Sequence, residues 1–141
     1  MTSDLNLNDD HCCFVCGKDN PDGLRINFRY PALGVCRAEF TPPRKYQGWQ
    51  GILHGGIVST LLDEALAHAA GGPERSGGGS GAVTAELTVR FRKPVPIGQS
   101  VILEGRVARD KGKVVECESS LKDQSGQVLA SATGKLVRPK A

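Results

Sequence analysis

The sequence lacks the features that mark secreted, membrane-spanning and nucleic-acid-binding proteins. No apolar run approaches the ~20 residues of a membrane helix, and the polar segment 1–10 has neither the basic nor the apolar region of a secretory signal. Lys and Arg outnumber Asp and Glu by only 18 to 15, too small and too dispersed an excess to indicate a nucleic-acid surface. We therefore expect a cytoplasmic protein with no nucleic-acid or membrane partner.

Cysteine is present in an odd number, which argues against a framework of disulfides. Three of the five cysteines crowd together at Cys12, Cys13 and Cys16, while Cys36 and Cys117 are isolated. Cys13 and Cys16 have the spacing of half a zinc site, but a structural site usually needs a second pair of ligands. We expect a reducing compartment, a reduced pair and no metal or cofactor, although the sequence leaves metal binding by this pair open.

The pattern of apolar residues indicates one domain built mainly from strands. A chain of 141 residues that is 39% hydrophobic has the size of one domain, which we place at residues 13–141 after a polar leader at 1–12. Apolar and polar residues alternate over 24–30 and 36–40, on both sides of the turn at 31–34, which predicts a hairpin. Further strands are predicted at 82–92, 101–109, 114–123 and 128–137, and their short links favour antiparallel pairing.

One helix is predicted, at residues 54–70, and it ends at a Gly-Gly-Pro sequence. After it, residues 71–81 are rich in Gly and Ser and are predicted to be mobile. The helix has a broad apolar face for packing on the sheet: Ile57, Val58, Leu61, Leu62, Ala65 and Leu66. A single helix cannot cover both faces and both edges of six strands, so we predict an α+β fold that is completed by self-association.

A second helical stripe carries small residues and one acid, Asp63. At the start of the helix no Ser, Thr, Asp or Asn is present to cap the first amides, so these donors are predicted to be free. Such amides form an anion site to which Gly55 and Gly56 admit a substrate; alternatively, the glycines only allow tight packing.

The spacing of these residues requires a second chain if they act together. Gly55 and Asp63 are eight residues apart, which is about 12 Å along a helix axis. Both cannot contact one carbonyl carbon. An antiparallel helix of a two-fold-related subunit would supply the missing group and create two equivalent sites.

The sequence around the helix start resembles a known family. A His-Gly-Gly sequence at residues 54–56 precedes Asp63, with Val-Thr-Ala-Glu-Leu at 83–87 and Phe-Arg-Lys-Pro at 91–94. Together these resemble the hotdog-fold acyl-CoA thioesterases of the PaaI and 4-hydroxybenzoyl-CoA type. The resemblance implies a long helix wrapped by a curved, mainly antiparallel six-stranded sheet, homodimers that often pair into tetramers, and hydrolysis of acyl-CoA without metal.

The resemblance also implies roles for individual residues. Gly55 matches the amide that polarises the thioester carbonyl, and Asp63 matches the catalytic carboxylate, as general base or as nucleophile. His54 matches a supporting histidine, and Thr84 a residue that positions water. Several branches of this family carry Asn or Gln six residues before the histidine, as a polar group of the oxyanion site. This sequence departs from that pattern, since it has Gly48 at this position.

Five residues are candidates for substrate binding. Gln47 flanks Gly48 and is a substitute for the missing amide side chain, while Arg92 and Lys93 suit the phosphates of CoA. The set is completed by Trp49, which is expected to shape the acyl pocket, and by Gly56.

Two other functions on the same fold remain as alternatives to hydrolysis: a non-catalytic acyl-CoA sensor and an acyl-CoA hydratase. The sequence does not indicate which acyl group is preferred.

Overall fold

The computed structural model describes residues 7–73 and 81–139. The elements, in chain order, are β1 (Arg29–Ala32), β2 (Val35–Phe40), a 3₁₀ turn (Arg44–Tyr46), α1 (Gly55–Gly71), β3 (Val83–Phe91), β4 (Val101–Asp110), β5 (Val114–Lys122) and β6 (Val128–Val137). Most of the predicted mobile segment 71–81, together with residues 1–6 of the leader, lies outside the described residues. Within the described residues, no helix combines the length and the hydropathy that crossing a membrane demands.

The strands form one six-stranded antiparallel sheet in the order β1-β2-β4-β5-β6-β3. The predicted hairpin is confirmed, and so are the four later strands, whose ends shift by one residue at most. The helix is also confirmed, and Gly72 ends it with a φ of +67° while its N–H donates to His68 O at 2.8 Å.

The first predicted strand is shorter than the alternation suggested. Leu24 and Ile26 are buried as expected, but β1 begins only at Arg29. The amides of Leu24 and Ile26 donate instead to Phe14 O and Val15 O, at 2.9 and 2.8 Å. The N-terminal segment therefore takes the place of a neighbouring strand here, and the prediction of a strand from residue 24 was wrong.

The helix packs on one face of the sheet through the predicted apolar stripe, whose members are buried except for the half-buried Ile57. Two sheet side chains also donate to helix carbonyls: Ser119 Oγ to Leu62 O at 2.9 Å, and Cys36 Sγ to Ala65 O at 3.1 Å. Burial raises the pKa of Cys36 to about 12 and that of Cys117 to about 11, so both act as core thiols.

The sheet ends in a long edge strand, β3, which pairs with β6 on one side only. The pairing register shifts between Thr84 and Glu86, so one residue bulges out next to Thr84. Two large apolar side chains of this strand are exposed, Leu87 by 37% and Phe91 by 59%. A long, partly apolar edge is a surface on which another strand can pair.

Candidate active site

The start of α1 is capped by a histidine. His54 is the N-cap residue, and its Nδ1 accepts a hydrogen bond from Gly56 N–H at 2.9 Å. The prediction of free amides was therefore wrong for Gly56, because an imidazole nitrogen satisfies it in place of the usual oxygen. Gly55 N–H donates to no acceptor in the part of the chain that the structure describes.

Gly55 lies beside the ring of Phe91, at the end of β3. A Cβ added at Gly55 would sit 3.5 Å from Phe91 Cε1, and no other atom outside its own helix and chain neighbours would come as close. The backbone at Gly55 is thus accessible to a ligand, with an aromatic ring on one side. Phe91 was not among the predicted site residues, because strand alternation gives no signal that a ring reaches a helix terminus.

A cavity of about 840 Å³ opens at this helix terminus. Its walls combine Gly55 with apolar side chains from the loop before α1, from α1 itself, from the end of β3 and from the loop after it: Trp49, Ile52, Leu53, Val58, Phe91 and Val95. Of the predicted site residues, His54, Gly55, Trp49, Arg92 and Lys93 all line it. An apolar cavity lined in part by Gly55, whose N–H has no acceptor among the described residues, suits a ligand with an apolar chain and a carbonyl.

Gln47 and Gly56 lie in a separate groove. This groove of about 410 Å³ is on the other side of His54 and reaches along α1 to Thr60. The side chain of Gln47 is held within its own loop, because its Oε1 accepts from Gly51 N–H at 3.1 Å.

Asp63 and Thr84 meet on the half-buried flank of the helix. Thr84 Oγ1 donates to Asp63 Oδ1 at 2.7 Å, which joins α1 to the start of β3. The bulge after Thr84 lies next to this contact, and bulges commonly redirect side chains beside functional sites. The structure thus brings together two residues that the sequence linked only through family resemblance.

A single chain divides the predicted catalytic residues into two groups. His54 and Gly55 line the apolar cavity, whereas Asp63 and Thr84 do not. Gly55 and Asp63 remain about 12 Å apart along the axis of α1, since the helix is continuous between them.

Glu64 has a setting that its sequence position did not indicate. It is only 9% exposed, and Cys13 Sγ donates to its Oε2 at 3.1 Å. In the next turn the buried His68 places Nε2 3.9 Å from the same oxygen. Its ring stacks on Phe28 with centroids 4.0 Å apart, and its Nδ1 lies 2.6 Å from Tyr30 Oη.

Comparison with known families agrees with this architecture. The family model described as the thioesterase superfamily matches residues 50–130. Acyl-coenzyme A thioesterase THEM4 of Bos taurus is 29% identical over 93 residues, which are 65% of this chain and 36% of the bovine protein. The chain therefore spans little more than a third of that relative.

Solved structures share the fold. The PaaI protein of the E. coli phenylacetic acid degradation operon superposes with a TM-score of 0.71 at 23% identity, covering 82% of this chain and 84% of PaaI. The Streptococcus mutans UA159 protein smu.793, bound to acetyl CoA, superposes with a TM-score of 0.70 at 21% identity, covering 79% and 86% of the two chains.

Proposed function

The chain belongs to the thioesterase superfamily, and we propose that it hydrolyses acyl-CoA thioesters to a free acid and CoA. The observation that carries this proposal is the Gly55 amide, a helix-terminal donor that faces an apolar cavity. Thioester hydrolysis builds negative charge on the carbonyl oxygen in the transition state, and a fixed donor at that position lowers the barrier.

Gly55 is proposed to bind the developing oxyanion. The positive end of the α1 dipole adds to the attraction of its N–H. His54 supports this arrangement by using Nδ1 to satisfy Gly56 N–H, which fixes the first turn. A neutral imidazole that accepts at Nδ1 carries its own proton on Nε2.

Asp63 is proposed as the carboxylate that activates water. Thr84 donates to Oδ1, and Oδ2 is proposed to accept a proton from water. The water oxygen bonds to the carbonyl carbon, its proton passes to Asp63, and the carbon–sulfur bond breaks; the proton then passes to the CoA sulfur. Direct attack by Asp63, giving a mixed anhydride that water later hydrolyses, uses the same residues.

The complete site is proposed to form between two subunits of a homodimer. The separation of Gly55 from Asp63 within one helix requires this, and the exposed β3 edge supplies a surface for pairing. A two-fold axis beside β3 would bring two α1 helices together in antiparallel orientation and yield two sites. A tetramer of two such dimers completes the proposed assembly.

The substrate is proposed to enter with its acyl group in the apolar cavity and its CoA moiety outside. Trp49, which is 84% exposed, and Phe91 flank the entrance. Arg92 and Lys93 also line a second hollow, where their positive charges are proposed to bind the phosphates of CoA. Gln47 and Gly56 are proposed to contact the substrate where it passes His54.

The proposed location is the cytoplasm. The structure describes all five cysteines and holds them as thiols rather than disulfides. Thiols in this number are typical of a reducing compartment.

Release of CoA thiol from aromatic and short-to-long aliphatic acyl-CoAs tests the proposal. We expect hydrolysis by the native protein, and a loss of kcat of roughly a hundredfold or more in Asp63→Asn, since removal of a general base costs 10²–10⁴-fold. Asp19→Asn, which changes an exposed carboxylate in a turn outside α1, is the matched control. Binding of acyl-CoA without turnover in the native protein would make this a sensor module instead.

A further inference from the structure

A tight turn near the N-terminus places two cysteines against the middle of α1. The turn runs from Cys13 to Gly17 and meets Glu64, whose carboxylate projects from the helix. One donor atom from each of Cys13, Cys16 and Glu64 lies within 4.8 Å of the other two. Two thiols and a carboxylate are thus gathered from segments that are about 50 residues apart in sequence.

The turn is held in one shape by hydrogen bonds. Gly17 N–H donates to Cys13 O at 2.9 Å, and Val15 N–H donates to Cys13 Sγ at 3.4 Å. A Cβ at Gly17 would lie 2.6 Å from Cys13 O, so only glycine fits there. The amides of Leu24 and Ile26 donate to the carbonyls inside the turn. The thiol positions are therefore fixed by the fold.

The setting of Glu64 also favours a cation. Its side chain lies on the buried side of α1 and is only 9% exposed, and burial of a carboxylate is costly unless a positive charge or strong donors compensate it. Cys13 contacts this carboxylate on its N-terminal side. A divalent ion among these three groups would place a positive charge directly beside it.

We propose that Cys13, Cys16 and Glu64 bind a divalent transition-metal ion, with zinc as the best match. Zinc accepts thiolate ligands at about 2.3 Å and carboxylate ligands at about 2.0–2.2 Å. Neighbouring ligand atoms around a tetrahedral ion are then roughly 3.3–3.8 Å apart, so the donors need only small side-chain rotations. Both cysteines bind as thiolates, so any remaining thiol proton is released to solvent, and the fourth position is left to water.

The proposed ion, held by three protein ligands, is independent of the proposed hydrolysis. It would join the N-terminal segment to α1 one residue after Asp63, which lies about 100° around the helix and faces Thr84. His68 stands behind Glu64, with Nε2 3.9 Å from Oε2, and limits movement of the carboxylate. Zinc should therefore stabilise the fold.

Cobalt titration of the full chain tests the site. The chain is stripped of metal under reducing conditions and titrated with Co²⁺, which shows thiolate-to-metal absorption bands when cysteines bind it, and zinc affinity follows from competition with a chromophoric chelator. We expect one ion per chain and a higher Tm with zinc. Cys13→Ser and Glu64→Gln should each weaken binding by roughly tenfold or more.

Cys12→Ser is the matched control, because Cys12 is exposed and adjacent to the pair. It should leave the affinity, the cobalt bands and the zinc-dependent Tm unchanged. Equal affinity in Cys13→Ser and the native chain overturns the proposal, as does the absence of thiolate bands. A Cys13–Cys16 disulfide found by mass spectrometry in protein purified under reducing conditions also overturns it and identifies a redox pair.

Discussion

At the scale of the residue, the hydrogen bond from Thr84 to Asp63 is the contact that holds the proposed catalytic carboxylate in place. At 2.7 Å it is a short bond from a neutral hydroxyl to a carboxylate, and it links the helix to the edge strand. Hydrogen bonds to charged groups contribute about 1.5–3 kcal/mol. Loss of this bond should therefore change the orientation of Asp63 without disturbing the core.

Thr84→Val removes the hydroxyl and keeps the shape of the side chain. We expect kcat to fall roughly ten- to a hundredfold, the kinetic equivalent of one hydrogen bond to a charged group, while KM changes little. Steady-state thiol release measures both constants. Thr41→Val, at an exposed threonine just after β2, is the control, and an unchanged kcat in Thr84→Val would remove Thr84 from the catalytic machinery.

At this scale, the sequence predicted the position of a residue where that position depends only on the periodicity of its own helix or strand. The position of Asp63 beside small residues followed from helical periodicity. The cap by His54 did not follow, since histidine is not among the residues that usually cap helices. The burial of Glu64 was also missed, because the N-terminal turn that covers it is remote in sequence.

At the scale of the element, the packing of α1 on β4 depends on a glycine. A Cβ at Gly105 would overlap with the carbonyl oxygen of Ala65 and lie 2.7 Å from its carbonyl carbon. These are backbone atoms of a buried helix, so they cannot rotate away. The contact sets how closely the helix approaches the sheet, and therefore where Gly55 and Asp63 stand.

Gly105→Ala and Gly55→Ala make the same chemical change, but they should differ in their effect on stability. Gly105→Ala should lower the free energy of unfolding by about 3 kcal/mol, the upper range for overpacking. Gly55→Ala should change stability by less than about 0.5 kcal/mol, because its Cβ meets nothing closer than 3.5 Å. Urea denaturation measures both, and equal stabilities would contradict the packing argument.

The kinetic consequence of Gly55→Ala is separate from its stability. The added methyl group stands in the cavity beside the amide that is proposed to bind the oxyanion. We expect kcat/KM to fall roughly tenfold or more, because small displacements of the reacting carbonyl are costly. Thiol release by the folded variant measures this, and full activity would place the oxyanion site elsewhere.

At the scale of the whole molecule, the proposed dimer predicts that two variants with little activity recover activity when their chains are mixed. Gly55→Val and Asp63→Asn should each lose most of their activity alone. In a mixed dimer, one site has an intact Gly55 from one chain and an intact Asp63 from the other. We expect a refolded equimolar mixture to recover activity at about a quarter of its sites, since half of the dimers are mixed.

Differently tagged chains allow the mixed dimers to be counted and purified. Mixed dimers with no activity would show that each site lies within one subunit. A native chain that sediments as a monomer, yet hydrolyses substrate, would contradict the two-subunit site directly.

The sequence by itself determined the order of the elements, the helix face that is buried, and the hairpin of β1 and β2, because periodicity and turn residues act locally. It also indicated that Gly55 and Asp63 are too far apart to act on one carbonyl, since the rise of a helix is constant. Only the tertiary structure decided that Thr84 reaches Asp63, that Phe91 flanks Gly55, and that Cys13 meets Glu64. Each of these contacts joins segments that are distant along the chain, and their proximity arises when the helix packs on the sheet.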